Sequence, residues 1–205
     1  MNRKVKPLIG VSLVLILSII TISSLTPQGV TPLGIQVGEK APMFEAITLS
    51  GEPFNLKEAT SSGPVVVVFY RGQWCPICNK HLSNLQDSLS LILDLGAQVV
   101  AISPERPELL HETADLTGAE FTLVYDEGYK ISDAYGVTFT PNRFKKFIYN
   151  TFMRASLRSA HSDDTQRLPV PATYVINKSG QIIWRQFDTD YYNRSSVKEI
   201  INALN

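Results

Sequence analysis

Residues 65–70 read Val-Val-Val-Val-Phe-Tyr, six apolar or aromatic side chains in unbroken succession after Pro64. A strand with one face in water alternates polar and apolar residues, so a run that does not alternate must be covered on both faces. Four β-branched residues in a row also suit a pleated strand far better than a helix. The segment therefore reads as a central, buried strand of the kind found in parallel sheets. Such a strand demands a domain able to layer structure on either side. With 205 residues, the chain is long enough for one domain of roughly 100–200 residues and an appended piece, but too short for two.

The remainder supplies the layers. Phe44–Leu49 and Pro53–Leu56 flank Ser50-Gly51-Glu52 and read as a small hairpin. Leu82, Leu85, Leu89, Ile92 and Leu93 recur at helical spacing, and Gly96 is placed to end that helix. Gln98–Ile102 reads as a second buried strand, Pro107–Thr117 as a helix, Phe121–Tyr125 as a third strand and Tyr129–Tyr135 as a short helix. Thr173–Ile176 and Gln181–Phe187 form a hairpin, and Ser195–Leu204 closes with a helix. This order implies an α/β domain with a central mixed β-sheet flanked by helices. Residues 140–167 break the rhythm. There Phe144, Phe147, Ile148, Thr151 and Phe152 share one helical face, which predicts an extra helix packed on the domain; a lid or a surface-binding element is the alternative.

The appended piece lies at the N-terminus. Residues 1–7 carry Arg3, Lys4 and Lys6 and no acid, and Leu8–Leu25 then runs without a charge. About 17–25 apolar residues span a bilayer, so residues 1–25 read as an N-terminal transmembrane helix, with a cleaved signal segment as the alternative. The basic flank would stay in the cytoplasm and the rest would be exported, to the periplasm or cell exterior. Residues 26–37, with two prolines and two glycines, read as a linker, and the folded domain is expected over 38–205. Lys+Arg and Asp+Glu are equal at 19 each, which argues against a nucleic-acid-binding polycation.

Both cysteines stand where the central strand gives way to a helix, in Arg71-Gly72-Gln73-Trp74-Cys75-Pro76-Ile77-Cys78. That places Cys75 at a helix N-terminus, where free N–H groups and the macrodipole stabilise a thiolate. Cys75 is the expected nucleophile. Cys78, one turn further in, is placed to attack a mixed disulfide or a sulfenic acid formed on Cys75. Pro76 suits the first helical turn. Asn79 stands where a haem attachment would need histidine, and only His81, His111 and His161 could complete a zinc set, none in a paired motif. No metal and no cofactor beyond the cysteine pair is expected. A second feature is Leu168-Pro169-Val170-Pro171-Ala172-Thr173, in which a proline precedes a buried strand and is a candidate cis peptide.

Gly38–Phe44, Val65–Leu82, Val99–Glu105 and Leu168–Ile182, in that order and spacing, resemble the peroxiredoxin-like branch of the alkyl hydroperoxide reductase/thiol-specific antioxidant family. The resemblance implies a thioredoxin-like fold, with Cys75 as the reactive cysteine, Cys78 as the second cysteine of thioredoxins, and Pro171 as a cis-proline beside the active site. The chain also departs from the pattern P-x-x-x-T-x-x-C of typical peroxiredoxins, because Val68 and Gly72 hold the proline and threonine positions. Another donor must then meet the peroxide. Arg71 is a candidate, its alternative being a surface arginine at a strand end. Trp74 reads as an active-site wall or as simple packing, with Gln73, Val170 and Thr173 bordering the same cleft.

These readings lead to a thiol-dependent peroxidase that reduces hydroperoxides through Cys75, with Cys78 as resolving cysteine and a thioredoxin-like or other thiol as electron donor. The alternatives are a membrane-anchored thiol–disulfide oxidoreductase acting on exported proteins and, more remotely, a copper carrier. His81 is expected to be solvated, and Asp163-Asp164 to sit in a solvated turn. Asp188, Asp190, Tyr191, Tyr192 and Arg194 follow the last strand and border the cleft without an assigned role.

Overall fold

A computed structural model describes residues 31–205. Its organising element is the valine run, strand β3 (Val65–Phe69), every residue of which is buried. β3 lies at the centre of a five-stranded sheet of order β5-β4-β3-β8-β9. Strands β4 (Gln98–Ser103) and β5 (Thr122–Tyr125) continue it in parallel on one side. On the other side β8 (Ala172–Ile176) and β9 (Ile182–Phe187) run antiparallel. The pairing aligns Val65 with Gln98 and Ile176, and Phe69 with Ile102 and Ala172. The mixed sheet expected from the element order is the one observed.

Because strand side chains alternate, the valines divide between two cores. Val66 and Val68 join Leu82, Leu85, Leu110 and Ile200 on one face. Val65, Val67 and Phe69 join Leu56, Ile131, Tyr135 and Tyr174 on the other. The first face is covered by α2 (Pro76–Asp87), α3 (Leu89–Asp94), α4 (Pro107–Thr117) and α8 (Val197–Leu204). The second is covered by α1 (Leu56–Ser62) and α5 (Lys130–Ala134), with the hairpin β1 (Glu45–Ile47) and β2 (Pro53–Asn55) beside α1. Two of these helices begin at side-chain caps. Asn55 caps α1 through Lys57 and Glu58, and Ser196 with Glu199 forms a capping box on α8.

Three details differ from expectation. The single helix expected over Leu82–Leu93 breaks at Ser88 into α2 and α3. The break resets the helical phase, so Leu89 and Ile92 stay buried while Leu93 is 51% exposed. Gly96, at φ 73°, still ends the segment in a left-handed conformation natural to glycine. In the stretch 140–167, α6 (Arg143–Thr151) forms, followed by the short α7 (Leu157–Ala160), but α6 does not bury the expected face. Ile148 and Tyr149 pack inward, whereas Phe144, Phe147 and Phe152 are 70%, 56% and 73% exposed. The expected cis-proline is also absent, since no cis peptide bond occurs among the described residues. The chain before Pro171 is instead drawn out as β7 (Leu168–Pro169), which pairs with β6 (Thr138–Phe139), and Val170 N–H donates to the Val137 carbonyl at 2.7 Å. Extended backbone of this kind accommodates the trans form, the intrinsically favoured isomer.

Among the described residues no helix is long and apolar enough to cross a membrane. The apolar run Leu8–Leu25 and the start of the expected linker lie outside the described residues. From Leu33 onward the chain is tied to the domain, with Arg185 donating to the carbonyls of Leu33 and Ile35 at 2.9 Å each.

Candidate active site

The sheet delivers both cysteines to one end of β3. Cys75 is the N-cap of α2, in extended conformation, and Pro76 occupies the first helical turn. The loop before it is fixed by backbone: Cys75 N–H donates to the Gly72 carbonyl at 3.1 Å, and Asn79 Nδ2 to the Gln73 carbonyl at 2.7 Å. Cys78 N–H points at Cys75 Sγ, 3.4 Å away, so an orphan donor of the helix end is aimed at the sulfur that would carry charge. The two cysteines are joined as a disulfide. Both are buried, with Cys75 2% and Cys78 1% exposed.

Two guanidinium groups lie at this end of the sheet, one of them against the pair. Arg71 is 3% exposed, which excludes the surface-arginine alternative. Its Nη1 donates to Tyr149 Oη at 3.4 Å, and its guanidinium stands 4.3 Å from the Tyr191 ring centre, with Phe139 and Tyr149 completing an aromatic cage. Arg194 Nη2 lies 3.5 Å from Cys78 Sγ. Among the described residues neither arginine forms an ion pair. Burial holds both below the usual arginine range, and Arg71's charge adds to the effect on Arg194, which falls to about 10. Arg71, buried, and Arg194, half-buried, are two cations without a carboxylate partner, which makes this end of the sheet an environment for an anion, and a thiolate is one available there.

A carboxyl group lies behind the loop. Glu105, wholly buried after β4, accepts from Gln73 N–H at 2.7 Å through Oε2, while Oε1 has no partner. Burial pushes its carboxyl up to about 8, against the pull of the Gln73 N–H. Gly72, at φ 150°, is what lets this group approach: any Cβ at that position would run into Glu105 Oε1 and Trp74 Nε1. The glycine that replaces the peroxiredoxin threonine is thus required here by the buried glutamate.

The other expected residues divide. Trp74 is buried and stacks on Tyr149 with ring centres 5.4 Å apart, so it packs as well as lining the site. Thr173, opposite Val68, reaches Ser195 Oγ at 2.8 Å, and Ser195 in turn reaches His81 Nε2 at 2.9 Å. His81 is therefore not solvated as expected; burial and then the Arg194 charge hold it down at about 4, a neutral imidazole inside a hydrogen-bonded chain. Val170 and Pro171 are buried at the same end of the sheet, immediately before Ala172, the partner of Phe69. His161 is buried far along the chain with Nδ1 2.7 Å from Tyr129 Oη. His111 is exposed on α4. Asp163 pairs with Arg167 and Thr165 rather than with Asp164, and Asp188 closes a turn through Asn193. Glu105, Tyr149 and Ser195 were not singled out from sequence; Glu105 alone left a signal, a carboxylate directly following a strand with no room for charge. Among the described residues no three of His, Cys, Asp and Glu gather into a metal site.

Residues 37–185 match the model of the AhpC/TSA family. The chain belongs to the AhpC/TSA family. Within the family it is similar to proteins of both chemistries. It is 25% identical over 149 residues to thiol-disulfide oxidoreductase ResA of Halalkalibacterium halodurans, covering 72% of this chain and 66% of that one. It is 30% identical over 103 residues to peroxiredoxin Bcp of Escherichia coli, covering 50% and 65%. In fold it is similar to peroxidoxin BcpB from Mycobacterium tuberculosis, at a TM-score of 0.64 and 19% identity over 83% of this chain and 96% of that one, which establishes the thioredoxin-like fold.

The Arg194 contact carries its own prediction. A guanidinium beside a sulfur favours the reduced, thiolate-bearing state over the disulfide. Arg194→Met therefore makes the pair harder to reduce, lowering its potential by about 30 mV or more for a charged hydrogen bond worth about 1.5 kcal/mol. Equilibration of the full-length protein with a dithiothreitol redox buffer measures it; an unmoved midpoint would show that the cation does not act on the sulfur.

Proposed function

We propose that the protein is a thiol-dependent peroxidase in which Cys75 attacks a hydroperoxide and Cys78 resolves the product. The observation that carries this reading is the burial of Cys75, 2% exposed at a helix N-terminus, at the end of the sheet that holds the unpaired cations Arg71, buried, and Arg194, half-buried. A small oxidant can reach such a sulfur with little rearrangement, whereas a folded protein disulfide cannot. The Cys75 thiolate displaces alkoxide from the O–O bond, becoming a sulfenic acid, and the alkoxide takes a proton to leave as alcohol. The Cys78 thiol then attacks that sulfur, forming the disulfide and releasing water. Two equivalents of a thiol donor, a thioredoxin-like protein or a small thiol, restore the pair. With no threonine at position 72, Arg71 and Arg194 are the groups left to polarise the peroxide. The reading needs no metal or organic cofactor.

A second reading, a thiol–disulfide oxidoreductase, is favoured by one observation: the two cysteines of the C-x-x-C close on each other within a single helical turn, as they must in a dithiol that exchanges with protein disulfides. The similarity to ResA supports it. In either case we read residues 8–25 as a membrane anchor that holds the redox domain on the extracytoplasmic side.

Stopped-flow oxidation of the reduced full-length protein separates the two. Tryptophan emission should report disulfide formation with a small hydroperoxide orders of magnitude faster than an unactivated thiol reacts. A rate equal to that of a free thiol, together with rapid exchange against a protein disulfide, would replace the first reading by the second.

A further inference from the structure

Helix α6 turns its aromatic side away from the protein. Phe144 and Phe147 stand 70% and 56% exposed, and Phe152, just past the helix end, is 73% exposed with its ring 6.0 Å from that of Phe147. At about 100° per residue, Phe144, Phe147 and Thr151 project within roughly 60° of one another, so these rings form one continuous patch. The opposite side is occupied: Ile148 and Tyr149 pack against the core, and Tyr149 contacts Trp74 and Arg71. The segment that carries the patch holds charge of one sign, the nearest acids in sequence being Asp163, paired with Arg167, and Asp164. Between residues 141 and 162 the sequence holds Arg143, Lys145, Lys146, Arg154 and Arg158 and no acid. Arg143, Lys145, Arg154 and Arg158 are exposed, and among the described residues none of the five forms an ion pair.

Exposed aromatic rings on one helix face, ringed by unpaired cations, match what an anionic lipid surface offers: an apolar interior under a layer of negative headgroups. A second copy of the chain fits poorly, because apposing two such faces would bring the same five cations together without counter-charge. A protein partner would have to bring an acidic rim around an apolar pocket to meet this face, a combination that a bilayer of anionic lipid offers everywhere on its surface. We infer that α6 and Phe152 dock on an anionic membrane surface, with the phenylalanines inserted at the headgroup boundary and Arg143, Lys145 and Arg154 against the headgroups. The inference rests on residues 143–158 alone and does not depend on the redox chemistry assigned to Cys75.

Phe147→Trp in the full-length protein places a reporter at the centre of the patch, at a position exposed enough to accept it. The protein is reconstituted with vesicles of phosphatidylcholine alone or mixed with phosphatidylglycerol, each with and without brominated acyl chains, and the emission of the unsubstituted chain is subtracted. The added emission should shift to shorter wavelength and be quenched by bromolipid only in the phosphatidylglycerol vesicles. High salt, or the triple substitution Arg143→Glu, Lys145→Glu, Arg154→Glu, should abolish both effects. Equal emission in the two vesicle types would overturn the inference. So would a blue shift that grows with protein concentration in detergent without lipid, which would assign the face to self-association. A shift produced by an acidic polypeptide but by neither vesicle would assign it to a protein partner instead.

Discussion

Cys75→Ser should slow the first, single-turnover oxidation by a hydroperoxide to the level of the reaction without protein, and Cys78→Ser should not. The asymmetry follows from position. Cys75 caps α2 and receives the Cys78 N–H, so its sulfur carries the charge that makes a nucleophile. Cys78 lies inside the helix beside Arg194, within reach of Cys75 but without the cap position. With Cys78 replaced, the first oxidation still proceeds and stops at a sulfenic acid on Cys75, one equivalent of which a dimedone reagent captures. Further turnover then requires an external thiol to do the resolving. Quantifying sulfenic acid by mass spectrometry after a single addition of peroxide tests the assignment. If Cys78→Ser blocked the first oxidation while Cys75→Ser retained it, the two roles would have to be exchanged.

The second large effect concerns Glu105 and pH. Its folded-state carboxyl is raised to about 8 from an ordinary value of 4.5, so the folded protein keeps a proton that the unfolded chain releases across that interval. The folded state binds more protons than the unfolded state there, and stability falls as pH rises from 4.5 to 8. The raised value corresponds to a loss on the order of 5 kcal/mol over the whole interval, at about 1.4 kcal/mol per unit. Glu105→Gln keeps an oxygen to accept the Gln73 N–H and has nothing to ionise, so the variant should lose this slope and overtake the parent protein in thermal midpoint at alkaline pH. His81 and His161, both held near 4, act in the opposite sense below about 6.5, and they are present in both proteins. The difference between the two midpoints, measured at pH 5 and pH 8.5 in the disulfide form, isolates Glu105. Parallel curves would mean that Glu105 is already ionised in the folded protein.

The sequence exposed the scaffold more fully than the surroundings of the site. β3, β4 and the C-terminal hairpin were legible because a buried strand leaves a local mark, an unbroken apolar run. The cysteine pair was legible because a short motif at a strand-to-helix junction dictates its own geometry. Periodicity treats Leu82 to Leu93 as one helix, since Leu89 and Ile92 are buried on either reading and only the exposure of Leu93 betrays the break at Ser88. Periodicity found the aromatic face of α6 as well, but it cannot say whether an apolar face meets the protein or something outside it. His81, Ser195 and Thr173 stand far apart in sequence and meet only because β8 lies against β3 and the chain after β9 brings Ser195 back to α2. The pairing of β7 with β6, which leaves the bond before Pro171 trans, likewise depends on contacts across the 140–167 stretch.

The monotony of β3 has a cost in positional information. In most strands, polarity tells each residue which face to take, and a slip of one place is punished at once by burying charge. Val65–Val68 contain no such instruction, since each would be equally at home one or two places along. What indexes the strand is the first side chain that is not valine: Phe69, whose ring meets Tyr135 at 5.0 Å and Tyr174 at 6.0 Å on one face only. A slide of two places would carry the strand end, and with it Arg71 and Cys75, about 6.6 Å along the sheet, out of reach of Arg194 and Glu105. One aromatic ring thus acts as the zero mark of a ruler whose other divisions are identical, and the alignment of the sulfur chemistry is read from it.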